Sequence, residues 1–261
     1  MSDPMTLSPK ETADFHDHGY ALIANPIDVA TMNELDCVQR EIQPVWEKMD
    51  FPPDVNSLAC QMLLGGEIVY QMVEHPGLVG MAKTILDVDQ VVVSAFGMGD
   101  TASTVGGARR QVPWHSDSFD DAAQVAVRVV LDPHEGANAP LRVLPGSHKR
   151  SHDEVHDELM EIETAASSGD DVPDLLYVYH PDEVELALDP QAMLVWTPKT
   201  WHATGVKTST DLRRAITWHY FAPGLPNPFQ NAVLHTLDGI WQGWSKDRKA
   251  LWGLPVSDSP S

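Results

Sequence analysis

The stretch Trp114-His115-Ser116-Asp117 decides the fold and the chemistry that this sequence predicts. Side chains alternate between faces along an extended strand, so His115 and Asp117 project to the same side. An imidazole and a carboxylate on one side can bind a single metal ion. A second histidine would complete a facial triad of two histidines and one carboxylate, which is typical of non-haem Fe(II) oxygenases because it leaves coordination positions open. His202 is the candidate for that histidine.

The His-x-Asp spacing alone carries little information, because the chain contains it a second time at His180-Pro181-Asp182. A chain with 12 histidines and 38 acidic residues is expected to contain such tripeptides by chance. The second pair lies in a turn-like stretch, and no other feature of a metal site follows it. The surrounding sequence therefore favours His115 and Asp117 as the metal ligands.

The overall composition is that of a globular protein, with 43% hydrophobic and 21% charged residues. No apolar run approaches the roughly 18 to 20 residues that a membrane span needs, and residues 1–10 have no signal-peptide pattern. Cys37 and Cys60 form neither a disulfide framework nor a zinc-ligand pattern. The formal net charge of −21 disfavours nucleic acid and membranes as partners. We expect a cytoplasmic protein with a small-molecule substrate, and a homodimer stays open.

Helix signals dominate the first third of the chain. Ser8-Pro9-Lys10-Glu11 has the form of a capping box, which starts a helix that Gly19 should end. Further helices are predicted after Asp28 and after Pro76. Residues 51–66 contain paired prolines and glycines and are predicted to be a loop.

Short strands separated by turns dominate the rest of the chain. A buried strand at 90–96 is followed by a glycine-rich segment at 97–107, which is expected to be a loop and is a candidate for a lid. The acidic segment 152–174 should be an exposed helix and loop. Short strands after an α-rich start are typical of a sandwich or barrel flanked by helices. The later predicted strands are 125–131, 141–144, 184–188, 192–196 and 213–221.

Several segments of the sequence resemble the phytanoyl-CoA dioxygenase family, a family of Fe(II)- and 2-oxoglutarate-dependent oxygenases. The N-terminal stretch 7–20 is similar to the opening of that family, and the resemblance extends to about residue 222. The Pro145-Gly146-Ser147-His148 motif is its most distinctive part. The remaining segments, in order, are Trp114–Asp117, Ala139–His148, Trp201-His202 and Leu212–Ala215.

The resemblance implies a mainly β protein with flanking α-helices around a double-stranded β-helix core of the jelly-roll or cupin-like type. Residues 1–261 would then form a single dioxygenase domain. Its expected parts are a helical N-terminal part at about 8–88, a β-helix core at about 90–222 and a C-terminal extension at 223–261.

The resemblance also implies that His115, Asp117 and His202 bind Fe(II), with 2-oxoglutarate and O2 as cosubstrates. In the family, an arginine eleven residues after the distal histidine binds the far carboxylate of 2-oxoglutarate, and Arg213 occupies that position. Thr204 corresponds to the serine or threonine that binds the same carboxylate. Arg214 is the alternative to Arg213, because alternation along a strand turns only one of them inward.

The implied reaction oxidises a small organic molecule, in specialised metabolism, and releases succinate and CO2. Asp117 favours hydroxylation over halogenation, since related halogenases have a small residue at that position. Arg128 and Arg142 interrupt apolar strands, and a buried arginine needs an anionic partner. Either one could contact a substrate carboxylate or phosphate, or be paired inside the protein. The Asn138-Ala139 pair departs from the Asn-Gly of the family, which weakens the expectation of a turn there.

Two other functions remain open from the sequence. One is a non-catalytic ligand-binding module on the same fold, although such a module has no need of the triad or of Arg213. The other is a hydrolase or isomerase on a related barrel that uses another metal. The ligands also do not distinguish hydroxylation from desaturation, epoxidation or cyclisation.

Overall fold

The computed structural model describes residues 5–100, 112–118, 123–166, 175 and 178–256. The helices are α1 Pro9–His18, α2 Val29–Trp46, α3 Ser57–Leu63, α4 Glu67–Val73, α5 Pro76–Leu86, α6 His152–Ala166, α7 Gln230–Thr236 and α8 Lys246–Leu251. The strands are β1 Tyr20–Ala24, β2 Val92–Asp100, β3 Gln124–Val130, β4 Leu141–Val143, β5 Val184–Leu186, β6 Ala192–Trp196, β7 His202–Thr204 and β8 Arg214–Phe221.

The predicted capping box starts α1. The Ser8 hydroxyl accepts a hydrogen bond from the Glu11 amide, and the Glu11 carboxylate accepts one from the Ser8 amide. Gly19 ends the helix at φ 87°, in the left-handed region where glycine carries no steric penalty. A Cβ at Gly19 would also collide with Thr200 and His148. This glycine therefore allows the N-terminal helix to lie directly against the segment that precedes His202.

The prediction that residues 51–66 form a loop is wrong, because they contain α3. Asn56 caps this helix by accepting a hydrogen bond from the Ala59 amide at 3.0 Å. A seven-residue helix is too short to be stable alone. Its residues 59–63 are all buried, so tertiary packing rather than local periodicity stabilises it.

Two antiparallel sheets form the core. The larger has the strand order β1-β6-β3-β8-β2, and the smaller has the order β5-β4-β7. On β3, Val125, Val127 and Val129 pack into the main core with the helices, whereas Ala126 and Val130 pack into a second core with residues of the small sheet. This arrangement of facing sheets with flanking helices confirms the predicted double-stranded β-helix fold.

The structure changes two further predictions. Residues 97–100 continue β2 and pair with β8 instead of forming a loop, while the rest of the expected lid, 101–107, lies outside the described residues. The acidic helix α6 is not wholly exposed, because Val155 and Leu159 are fully buried. No helix in the described part of the chain is long and apolar enough to cross a membrane.

The segment after β8 covers the helical side of the fold. Arg248 of α8 bonds to the carboxylates of Glu67 and Glu74, and its guanidinium lies 4.2 Å from the ring of Trp244. Trp252 is fully buried and donates its indole hydrogen to Glu74. These contacts attach the C-terminal segment to the helices up to Trp252.

Candidate metal centre

The main chain brings the two candidate histidines together. His115 and His202 form an isolated antiparallel bridge, with amide-to-carbonyl distances of 3.1 Å and 2.9 Å in the two directions. The amide of Asp117 donates to the carbonyl of Pro198 at 2.8 Å, which attaches the next ligand to the same loop. Backbone hydrogen bonds therefore position all three candidate ligands.

The three side chains converge on one point. His115 Nε2 lies 3.7 Å from Asp117 Oδ1, and His202 Nε2 lies 3.8 Å from Asp117 Oδ2. One ligand atom from each residue lies within 4.8 Å of the other two. Among the residues that the structure describes, this is the one cluster of three or more metal-ligating side chains of this kind.

Hydrogen bonds on the far side of each ring prepare the histidines for a metal. Nδ1 of His115 lies 2.8 Å from the carbonyl of Pro113, and Nδ1 of His202 lies 2.9 Å from that of Thr200. A carbonyl oxygen only accepts, so Nδ1 carries the hydrogen and Nε2 keeps its lone pair. The two Nε2 atoms are the ones that face Asp117, as metal ligation requires.

Burial and neighbouring charges together set the protonation states of the candidate ligands. It lowers the pKa of His202 to about 4, with a further contribution from His115, so this imidazole is neutral at neutral pH. Burial opposes ionisation of Asp117, but the neighbouring His202 and His219 outweigh it and hold the pKa of that carboxyl below its ordinary value. A carboxylate and a neutral imidazole are the protonation states that bind iron.

The residues beside the ligands point away from the site and support it. Trp114 and Trp201 pack with Val155 and Leu159 of α6 in a separate apolar cluster. The hydroxyl of Ser147 accepts a hydrogen bond from the Trp201 amide at 2.9 Å. The Pro-Gly-Ser-His turn thus anchors the backbone next to His202.

The structure distinguishes Arg213 from Arg214. Arg214 reaches the helical side, where it bonds to Asp132 and Asp36. Arg213 is fully buried, and its Nε donates to the carbonyl of Ala139 at 2.7 Å. By alternation Arg213 shares the inner face of β8 with Ala215, which packs between the two sheets.

Thr204 lies on the same face of β7 as His202, two residues further along the strand. Its hydroxyl accepts a hydrogen bond from the Val112 amide at 2.7 Å and makes only a long donor contact, 3.4 Å, to the Val112 carbonyl. The hydroxyl hydrogen is therefore available to a stronger acceptor such as a carboxylate.

The two arginines that interrupt apolar strands have different environments. Arg142 forms an ion pair with Glu183, bonds to the Val178 carbonyl and stacks on Trp114 at 5.0 Å. These contacts do not support the expectation that Arg142 meets the substrate, because its charge is already paired internally. Arg128 lies on the inner face of β3 and interacts electrostatically with Asp117.

The second His-x-Asp pair is a local turn. Nδ1 of His180 accepts a hydrogen bond from the Asp182 amide at 3.0 Å, and its Nε2 lies 3.2 Å from the Glu158 carboxylate. The structure places this pair outside the cluster around His202.

The sequence did not predict two residues that lie near the cluster, His219 and Trp196. His219 is buried and lies on the inner face of β8, and the ring of Trp196 is 6.0 Å from that of His202. The two-residue period of β8 would have identified His219 once Arg213 was known to face inward. Trp196 offered no such signal.

This fold and this ligand cluster define an oxidoreductase of the iron- and 2-oxoglutarate-dependent oxygenase class. A family model described as Phytanoyl-CoA dioxygenase (PhyH) matches residues 6–215, and the chain belongs to this family. The predicted enzyme class and its iron and 2-oxoglutarate cofactors are thereby confirmed. No curated protein matches the chain significantly in sequence.

Several solved structures share the fold. AviO1 from Streptomyces viridochromogenes Tue57 has a TM-score of 0.60 at 17% identity, with 85% of this chain and 99% of that chain covered. SnoK, a non-haem α-ketoglutarate-dependent carbocyclase from nogalamycin biosynthesis, has a TM-score of 0.57 at 17% identity, with 84% of this chain and 87% of that chain covered. EctD from S. alaskensis, bound to 2-oxoglutarate and 5-hydroxyectoine, has a TM-score of 0.57 at 16% identity, with 88% of this chain and 82% of that chain covered.

Proposed function

We propose that this chain is an Fe(II)- and 2-oxoglutarate-dependent dioxygenase that hydroxylates a small organic molecule. The bound iron would supply dioxygen activation, coupled to conversion of 2-oxoglutarate to succinate and CO2. His115, Asp117 and His202 would hold the iron. Arg213 and Thr204 would hold the far carboxylate of 2-oxoglutarate.

The observation that carries this proposal is the pair of preset imidazoles beside one carboxylate. Both Nδ1 atoms are occupied by backbone carbonyls, so both Nε2 atoms are free to ligate. Three protein ligands on one side leave the rest of an octahedral ion for a chelating keto acid and dioxygen. A ligand-binding module without a metal would have no use for this arrangement.

The position of Arg213 supports 2-oxoglutarate as the cosubstrate. Thr204 lies about 7 Å beyond His202 along β7, because strand residues two apart are separated by about that distance. Leu141 pairs with Thr204 in register, and Ala139, which accepts from Arg213, is two residues before Leu141. These register positions support a dicarboxylate held between the iron ligands at one end and the Arg213 guanidinium and Thr204 hydroxyl at the other.

Within the class, the ligands favour hydroxylation over halogenation. Asp117 provides a carboxylate where a halogenase needs space for a halide on the metal. The structural neighbours include a carbocyclase, SnoK, and an epimerase, SnoN, both from nogalamycin biosynthesis. A product in specialised metabolism is consistent with that range.

The test is anaerobic addition of Fe(II) and then 2-oxoglutarate to the purified protein. A weak visible metal-to-ligand charge-transfer band is expected for a chelated keto acid, and Asp117→Ala should abolish it. Exposure to air should then release succinate. A folded wild-type protein that binds iron without the band would instead favour another metal-dependent reaction, and one that binds no iron would favour a ligand-binding module.

A further inference from the structure

Among the described residues, Arg128 is a cation on the inner face of β3. The proposed iron and 2-oxoglutarate sites do not explain its role. Arg128 pairs with Thr217 of β8 in register, and its Nε donates to the Thr217 hydroxyl at 3.0 Å. Its guanidinium carbon lies 5.8 Å from the ring centroid of Trp196. Since the Trp196 ring is itself 6.0 Å from that of His202, and Arg128 interacts electrostatically with Asp117, Arg128 lies near the candidate metal ligands.

A hydrogen bond to Thr217 positions the guanidinium of Arg128, but no carboxylate among the described residues forms an ion pair with it. Arg142 and Arg214 each form an ion pair with a carboxylate. Arg128 forms none with the described residues, and its one hydrogen bond to them uses Nε. Both terminal nitrogens therefore remain available as a fork, the geometry that binds a carboxylate through two hydrogen bonds.

A second donor lies in the same cluster. Trp196 is 5% exposed, and its indole Nε1 is buried without a hydrogen-bond partner among the described residues. Buried donors are nearly always paired, and an exception requires an explanation such as a missing ligand. The Arg128 guanidinium and the Trp196 indole thus lie side by side, and each has a donor without a partner among the described residues.

Charge balance in the loaded site points to one more anion. The two charges of Fe(II) and the one of Arg213 are matched by the Asp117 carboxylate and the dianion of 2-oxoglutarate. Arg128 then remains as one unmatched positive charge among the described residues, on a half-buried side chain that can bind an anion through charge-assisted hydrogen bonds.

The position of Arg128 also limits which carboxylate it can meet. Its partner Thr217 is four residues from Arg213 along β8, or about 13 Å at the usual rise of a strand. This spacing assigns the far carboxylate of 2-oxoglutarate to Arg213 and leaves Arg128 nearer to the candidate iron ligands. Two sources of a carboxylate remain at the metal end, the prime substrate and the keto-acid end of 2-oxoglutarate.

We propose that Arg128 and the indole N–H of Trp196 bind a carboxylate of the prime substrate beside the metal, so that the enzyme acts on monoanionic organic acids. This inference rests on the proposed function, because it uses the iron and 2-oxoglutarate to fill the remaining space. In this arrangement the three protein ligands and the keto acid are already assigned to the iron. The carboxylate that pairs with Arg128 is therefore assigned to the prime substrate.

The first part of the test locates the carboxylate. Anaerobic titration of 2-oxoglutarate into the Fe(II) protein should give the same dissociation constant, within about twofold, in wild type, Arg128→Gln and Arg128→Lys, since less than 0.5 kcal/mol is involved. A tenfold weakening in Arg128→Gln would assign the residue to the keto-acid end of 2-oxoglutarate and overturn the proposal.

The second part measures the preference for an anion in the Fe(II)–2-oxoglutarate protein. Acetate, propionate, benzoate and phenylacetate are compared with their primary amides by calorimetric titration under anaerobic conditions. We expect wild type to bind at least one acid about tenfold more tightly than its amide, as for a charge-assisted hydrogen bond. Arg128→Gln should lose that preference and Arg128→Lys should keep part of it.

Two further variants control for folding and for net charge. Trp196→Phe keeps an aromatic side chain but removes the indole N–H with its five-membered ring, so it should reduce the preference several-fold with an unchanged circular dichroism spectrum. Arg150→Gln removes an exposed cation with 41% of its side chain accessible, and it should leave the preference for acids over amides unchanged.

Equal binding of acids and amides by wild type, or an undiminished preference in Arg128→Gln, would contradict the proposal. A missing charge-transfer band in wild type would contradict the proposed function instead.

Discussion

His115 and His202 are joined by two reciprocal main-chain hydrogen bonds across 87 residues of sequence, and their rings lie 4.2 Å apart between centroids. The bridge uses no side-chain atom. The separation of the two ligands is therefore a property of the backbone, and a metal ion would find its ligands already in place.

Truncating either histidine should remove the metal and leave the fold. In His115→Ala or His202→Ala the main-chain bridge persists, so the thermal midpoint without metal should change by only a few degrees. Fe(II) affinity should fall at least a hundredfold, because one of three ligands is lost. Calorimetric metal titration and thermal denaturation measure the two effects. Retained turnover in either variant would show that the ligand set is wrong.

Replacement of Arg213 should weaken 2-oxoglutarate binding. A charged hydrogen-bond partner contributes about 1.5 to 3 kcal/mol, so Arg213→Ala should raise the dissociation constant about ten- to a hundredfold. The anaerobic charge-transfer band measures this constant directly.

Arg214→Ala is the matched control for that experiment. Arg214 bonds to Asp132 and Asp36 on the helical side, so its loss should lower the free energy of unfolding by about 2 kcal/mol through the unpaired carboxylates. The affinity for 2-oxoglutarate should stay within about twofold of wild type. The opposite pattern in the two variants would mean that the inner and outer faces of β8 are reversed.

His134 should make the protein less stable in acid. Burial, and then the charge of Arg213, lowers its pKa to about 2. Below about pH 6.5 the unfolded chain binds a proton that the folded chain does not, so the free energy of unfolding falls by about 1.4 kcal/mol per pH unit. Urea denaturation at pH 7 and pH 5 should show that His134→Gln loses about 2 kcal/mol less than wild type over this interval. Equal losses would mean that His134 does not titrate in this way.

Ala139 should tolerate glycine unusually well. It has φ 55°, in the left-handed region where a Cβ costs about 1 to 2 kcal/mol, and its carbonyl accepts from Arg213. Relief of this strain should offset the lost methyl group, so Ala139→Gly should change the free energy of unfolding by less than about 1 kcal/mol. Ala82→Gly, at a buried position within helix α5, should cost about 2 kcal/mol. Urea denaturation compares the two, and equal costs would mean that Ala139 is not strained.

Local signals in the sequence predicted much of the first third of the chain. Ser8 and Glu11 identified the start of α1, and Gly19 identified its end, because capping depends only on neighbouring residues. Helix α3 was not predicted, because its stability comes from burial under β2 and not from an amphipathic period. Its cap Asn56 was the one local signal available.

The sequence by itself determined the fold class and predicted His115, Asp117 and His202 as metal ligands. His115 and Asp117 are two residues apart, and the segments around His202 resemble a known family, so neither prediction needed coordinates. Only the tertiary structure showed which arginines are paired inside the protein. Arg214 pairs with Asp36 and Asp132, and Arg142 pairs with Glu183. These carboxylates lie far away in the sequence, on elements that only the folded chain brings within reach of the arginines.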